Sequence, residues 1–193
     1  MKSTRSRHPS RLLLVLAAVA VTLFGLVAPA SAAGPYCGIT WGSLDKATNP
    51  STGPFGGRLV DVRAGRHDCF DRLVIDVDGA RGAGYAVGYV AEVTEDPSGL
   101  TVPLRGRAFL QITVFAPDNR NDVLTYRPAD RRELVDTTGF ATFRQVAWAG
   151  AFEANSSVGL GVRARLPFRV FMLAGPGGNG PDGRVVIDVA HRG

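Results

Sequence analysis

Apolar and polar residues alternate along much of this chain with the period of two that a strand imposes, since successive side chains leave a strand on opposite faces. Between Phe70 and Val77 one side of the alternation is Leu73, Ile75 and Val77, and the other is Arg72, Val74 and Asp76. Residues 183 to 189 repeat the design, with Val185, Ile187 and Val189 against Arg184, Val186 and Asp188. When Arg72 is set on Arg184, only Leu73 changes within the six matched positions, to Val185. An all-aliphatic side belongs in a core, and a side carrying Arg and Asp belongs at water or at a ligand. One strand design is thus used twice, each time with a charged outer stripe.

The same period, punctuated by Gly and Pro, predicts further strands at 58–63, 85–93, 108–115, 140–148, 159–165 and 168–173. Leu110, Ile112 and Val114 alternate with Gln111, Thr113 and Phe115 in one of them. Helical spacing is scarce. Ala129 to Val135 leaves room for a turn or two between Pro128 and Thr137. Many short strands and almost no helix predict an all-β fold, an antiparallel sandwich or barrel.

The N-terminus follows another pattern. Lys2, Arg5, Arg7 and Arg11 precede a nearly unbroken apolar run from Leu12 to Val27 and the small residues of Ala28-Pro-Ala-Ser-Ala-Ala33. This predicts a secretory signal peptide over residues 1–32, cleaved after Ala30-Ser31-Ala32, because the apolar run falls short of the roughly 20 residues that span a bilayer. Removing it changes the charge picture: of 22 basic and 17 acidic residues, four basic and no acidic ones lie in the signal, so the remainder is nearly neutral. A nearly neutral domain without a basic cluster is not a nucleic-acid binder, and after cleavage no membrane segment is expected. Cys37 and Cys69 are expected to form a disulfide in an oxidising compartment, the alternative being two free thiols or metal ligands. Residues 33–56, rich in Gly and Pro, read as a linker stapled by that bond ahead of a domain at 57–193.

Six segments in order, His67-Asp-Cys-Phe-Asp-Arg72, Gly84-Tyr-Ala-Val-Gly-Tyr89, Phe143-Arg-Gln-Val-Ala-Trp148, Gly159-Leu-Gly-Val-Arg163, Pro167-Phe-Arg-Val170 and Arg184-Val-Val-Ile-Asp188, resemble the AMIN-like domain of exported actinobacterial proteins. The resemblance covers roughly residues 57 to 191. It implies a non-catalytic β-sandwich of two similar sheets, each bearing one copy of the motif on its outer face, that binds cell-wall glycan or peptide. The wider AMIN family directs cell-wall amidases or secretion components to peptidoglycan. This chain has no amidase domain, so any such client is a separate cell-wall enzyme.

The ligand-binding residues this reading selects are Arg72, Val74, Asp76, Arg184, Val186 and Asp188, with Trp148 as a sugar platform. Paired Arg and Asp suit polar, bidentate contacts, and aromatic faces suit sugar rings. The competing account of the stripes is structural. Were the copies antiparallel neighbours in one sheet, Arg72 would face Asp188 and Arg184 would face Asp76 as cross-strand ion pairs; placed in different sheets, as the resemblance implies, they would be free to bind. Trp148 and Tyr89 suit a core equally well. Arg163 and Arg165, sharing a strand face, suit wall carboxylates or simply water. No cofactor or metal site is expected: with His67 and His191 the histidines of the mature part, His67-Asp68-Cys69 does not define a closed metal site. Glu95-Asp96 belongs to a turn, Asn119 to Asp122 lacks the ligands of a calcium loop, and the glycine-rich 175–183 segment lacks the ending of a phosphate loop. The sequence therefore predicts a secreted, wall-associated binding module rather than an enzyme. A protein-interaction module that captures a partner through a sheet edge or the 116–138 loop, and a small-molecule hydrolase with an unfamiliar site, are the alternatives.

Overall fold

Strands form where the alternation falls. The computed structural model describes residues 35–49, 57–79, 83–175 and 182–193; the expected signal peptide, the 50–56 part of the linker and the middle of the 175–183 loop lie outside them. The strands are β1 (Lys46–Thr48), β2 (Arg58–Arg66), β3 (Phe70–Asp78), β4 (Tyr85–Val90), β5 (Val93–Thr94), β6 (Thr101–Val102), β7 (Ala108–Val114), β8 (Asn119–Arg120), β9 (Val123–Leu124), β10 (Phe143–Phe152), β11 (Asn155–Val162), β12 (Phe168–Ala174) and β13 (Gly183–Ala190). Five of them make one sheet in the order β1-β4-β7-β11-β10, and four make another in the order β12-β13-β3-β2. Every pairing in these two sheets is antiparallel.

The two sheets share one core, so the fold is an all-β sandwich. Leu73, Ile75, Val77, Val185, Ile187 and Val189 from the four-stranded sheet pack with Leu110, Ile112, Val114, Val158, Leu160 and Val162 from the other, all of them fully buried. Each such side chain contributes roughly 1.5–3 kcal/mol relative to exposure. At one end the sheets are also joined by a buried carboxylate. Asp71 on β3 accepts hydrogen bonds from the Thr142 and Phe143 backbone N–H groups at 2.5 and 3.1 Å, and its other oxygen lies 3.1 Å from His191 Nε2.

Several boundaries depart from the alternation. The run expected to continue to Val93 breaks after Val90, and the next residues enter the small β5–β6 hairpin. β10 begins at Phe143 rather than 140, and β11 begins at Asn155 and ends at Val162. β1 lies within the stretch read as a linker; three residues at a sheet edge pair with β4 without needing a pattern of their own. Residues 129–135 form no helix. Their backbone groups find partners on the open edge of β10 instead, with Leu134 N–H donating to Val146 O at 2.8 Å and Trp148 N–H to Arg131 O at 2.7 Å.

The outer faces of the two sheets differ. On the five-stranded sheet, β11 presents Gly159 and Gly161 outward, and residues 93–105 lie close against them. A Cβ at Gly159 would come within 2.9 Å of Leu104 and Val93, and one at Gly161 would collide with the carbonyl oxygen of Arg105. At Gly150, φ is +93° and the backbone of Asp96 abuts the position a Cβ would fill. Glycine is needed there for both reasons. On the outer face of the four-stranded sheet Trp41 lies against Arg169 and Phe70, and Arg63, Arg72 and Arg184 line an open depression.

The expected disulfide is formed between Cys37 and Cys69. It closes a separation of 32 residues, which in the chain-entropy account stabilises by roughly 3–4 kcal/mol. The tethered segment runs along β12, where Phe168 N–H donates to Gly42 O at 2.8 Å, and brings Trp41 within 5.9 Å of the Phe70 ring.

Candidate functional site

The two copies of the repeated strand, β3 and β13, are antiparallel neighbours in a single sheet, with Arg72 opposite Asp188, Val74 opposite Val186 and Asp76 opposite Arg184. The placement in separate sheets that the resemblance implied is thereby corrected. Register follows from the buried faces: any slip by one residue would turn Ile75 and Ile187 outward. β12 and β2 flank the pair and extend it into rows. One row is Arg169, Asp188, Arg72 and Gly65; the next is Phe171, Val186, Val74 and Arg63.

Position in register does not by itself decide the partner. Asp188, fully buried, receives Arg72 Nε and Nη2 at 2.6 and 2.9 Å and Arg169 Nη2 at 2.7 Å. Asp76 is held by Arg63 from β2 at 2.7 and 3.0 Å rather than by the arginine opposite. The bond to Asp76 is the main reason the Arg63 guanidinium is raised above its ordinary value, burial working against it. Arg184 is left over. Its Nη2 donates to Ala174 O at 2.7 Å, and its Nε is buried without a hydrogen-bond partner among the described residues. Val74 and Val186 lie on the outer face yet are buried beneath these longer side chains.

Aromatic rings frame the charges. The Arg169 guanidinium lies 5.0–5.5 Å from the rings of Phe171, Phe70 and Trp41, and that of Arg72 lies 5.1 Å from Phe70. Stacking of this kind orients a guanidinium and contributes ~0.5–1 kcal/mol per contact. Between Arg63, Arg72, Arg184 and His67 is a depression of about 230 Å³ with Val74 and Val186 beneath it. Four guanidinium groups share this face with Asp188, Asp76 and, opposite Asp76 on β2, Asp61, whose charge also acts on Arg63; Arg184 is the one of the four with no carboxylate partner among the described residues, a fork-shaped donor suited to carboxylate or phosphate.

Sequence reasoning selected Arg72, Val74, Asp76, Arg184, Val186 and Asp188, and these converge on this one face. It missed Arg63, Arg169, Phe171 and Trp41. Arg63 and Arg169 occupy the outward positions of their own alternating runs, which is the signal that would have found them. Trp148 is elsewhere: on β10 in the other sheet, 8% exposed and packed against Tyr126 with ring centroids 5.4 Å apart. Tyr89 is tied to Leu166, donating to its carbonyl at 2.6 Å and accepting its N–H at 3.0 Å, and burial raises its phenol despite that bond and the nearby Arg165. Arg163 and Arg165 do not share a strand face: Arg163 donates to His191 O, and Arg165 lies 4.6 Å over the Tyr89 ring beyond the end of β11. His67 stacks on Phe70 at 4.5 Å, and among the described residues no three His, Cys, Asp or Glu side chains are grouped to hold a metal.

No curated protein and no solved structure matches the chain. The family model for the AMIN-like domain matches residues 57–191, which span β2 through β13 and every residue of the arginine face except Trp41. With most of its length and both copies of the repeated strand inside that match, the chain belongs to the AMIN-like domain family.

Proposed function

We propose that this protein is an exported, non-catalytic module that docks on the bacterial cell wall through the outer face of its four-stranded sheet. The observation that carries this reading is the uncommitted guanidinium there: Asp188 and Asp76 between them engage Arg72, Arg169 and Arg63, while Arg184 has no carboxylate partner among the described residues and lines an open depression. Wall peptides present carboxylates, and a fork-shaped guanidinium pairs with them bidentately. The client of such a module would be a separate wall enzyme brought to its substrate.

The test is sedimentation with purified insoluble peptidoglycan. Arg72 is a poor choice for substitution, because removing it strips a partner from the buried Asp188. Arg63 is excluded on the same ground, since it is the arginine that holds the buried Asp76. Arg184→Ala should weaken sedimentation severalfold while the melting temperature changes little. Absence of sedimentation by the unaltered protein would defeat the wall reading.

A second reading, capture of a protein partner, is favoured by the β8–β9 hairpin, where Val123 is 65% exposed and Leu124 43%. Under that reading a pull-down would depend on Val123 and Leu124 and be indifferent to Arg184.

A further inference from the structure

The outermost strands of the two large sheets carry backbone groups that need partners, and most of these edges are attended to. Residues 131 and 134 bond to β10, Gly42 bridges to β12, and β1 is only three residues long. β2 is the remaining edge. Its start is covered as well: Leu59 N–H donates to Pro117 O at 2.8 Å, and the Thr125 hydroxyl donates to Leu59 O at 2.7 Å. Beyond the bulge between Leu59 and Asp61, no strand among the described residues pairs with the outer side of β2.

The β2–β3 hairpin decides which groups are open. His67 N–H donates to Phe70 O at 3.0 Å, so Gly65 with Arg72, Arg63 with Val74 and Asp61 with Asp76 are the residues that exchange backbone bonds. The alternate residues, Val62, Ala64 and Arg66, turn their N–H and C=O groups away from the sheet. Such a row is a template for a further antiparallel strand. On the outer face the same stretch presents Asp61, Arg63 and Gly65, with His67 continuing the line, and all but Gly65 are exposed. At Gly65 a Cβ would meet nothing within 4 Å, which leaves an open lane.

We infer that this edge pairs with β2 of a second copy of the chain, across a two-fold axis at Ala64. Closed two-fold pairing of a strand with itself is antiparallel. With Ala64 opposite Ala64, Val62 faces Arg66, and every open N–H and C=O group of the three residues finds a partner. On the outer face that register sets Asp61 opposite His67 of the second copy, an acceptor against a donor that becomes a cation on protonation. It also sets Arg63 opposite Gly65, where no side chain competes for room. Neighbouring registers are poorer: a shift of two residues one way puts Arg63 on Arg63, and two the other way puts Arg63 on His67. Arg63 keeps its bond to Asp76, so no existing ion pair is broken. Directly opposed side chains share a face, so the two arginine faces lie on the same side of one continuous sheet. On the wall reading, which this consequence alone rests on, the dimer is bivalent and its second contact gains from effective concentration.

The experiment is sedimentation velocity of the full chain without peptidoglycan, over about a hundredfold range of concentration reaching about 1 mM. A reversible equilibrium of monomer and dimer is expected. Ala64→Pro should weaken it roughly tenfold or more, because proline removes an outward N–H that the β2–β3 ladder does not use. Asp61→Lys should weaken it roughly three- to tenfold through its two symmetry-related pairs, and adding His67→Glu to that variant should restore it. Arg184→Ala should leave the equilibrium unchanged, so failure of the wall reading and failure of the dimer are told apart. Should Ala64→Pro fail to fold, Ala64→Cys reads the same edge, since opposed residues of a hydrogen-bonded pair have Cα atoms about 5.5 Å apart, within disulfide reach. Oxidation to a covalent dimer by Ala64→Cys and not by Arg107→Cys, at an exposed position away from β2, supports the pairing. A chain that stays monomeric throughout overturns it and leaves the edge to an extended segment of another protein. A dimer indifferent to Ala64→Pro and to the Asp61 and His67 exchange, or equal cross-linking of the two cysteine variants, overturns it too.

Discussion

Asp188 and Asp76 each face an arginine of the neighbouring strand, and they fare differently. Asp188 is fully buried and shared by Arg72 and Arg169, so deleting its carboxylate strands two cations in a partly desolvated place. Asp188→Ala should cost about 3–5 kcal/mol in urea unfolding. Arg184→Ala breaks no ion pair among the described residues and should stay within about 1 kcal/mol of the unaltered protein. Equal losses would mean that Arg184 is as structural as Asp188. A second residue-scale expectation concerns alkali. Burial, with help from Asp61, pushes the Tyr126 phenol up to about 12 from 10.0. The folded state therefore holds its proton where the unfolded state has lost it, so this contribution is whole below pH 10 and disappears as pH rises towards about 12. Tyr126→Phe should flatten the decline in stability over that window, as followed by denaturant midpoints at successive pH values.

At the scale of elements, the glycines of β11 decide which sheet face is open. Gly161→Ala would drive a methyl group into the Arg105 carbonyl, and backbone cannot yield as a flexible side chain can. A loss of about 1–3 kcal/mol is expected, with faster amide exchange in residues 93–105. Gly65→Ala, where a Cβ meets nothing within 4 Å, serves as the control and should be nearly neutral. The strands themselves were legible because their buried faces are regular: Leu110, Ile112 and Val114 alternate in sequence and are fully buried in the fold. β1 and the β8–β9 hairpin were not legible, since two or three residues carry no period. Nor was the course of residues 129–135, whose conformation is fixed by the unpaired edge of β10 rather than by their own side chains.

For the whole molecule, the repeated strand was visible from the sequence but its location was not. Identity between Arg72–Val77 and Arg184–Val189 says that two strands are alike; whether they share a sheet depends on connections that the pattern does not encode. The arginine face was half legible for the same reason, because Arg63 and Arg169 join it only when β2 and β12 take flanking places. Wall binding through an exposed guanidinium group should fall as salt rises. Sedimentation with peptidoglycan that was the same in low and high salt would expose a misassignment of the arginine face.

Because β3 and β13 run side by side in opposite directions, the pair has an approximate local dyad between Val74 and Val186, and equivalent residues began with equivalent surroundings. The flanking strands end that equivalence. An arginine on β2 draws Asp76 away and a second arginine on β12 reinforces Asp188, so one half of the duplicated unit is fixed as scaffold and the other is released. Division of labour between twin strands thus needs no change in either twin, only a change in what borders them.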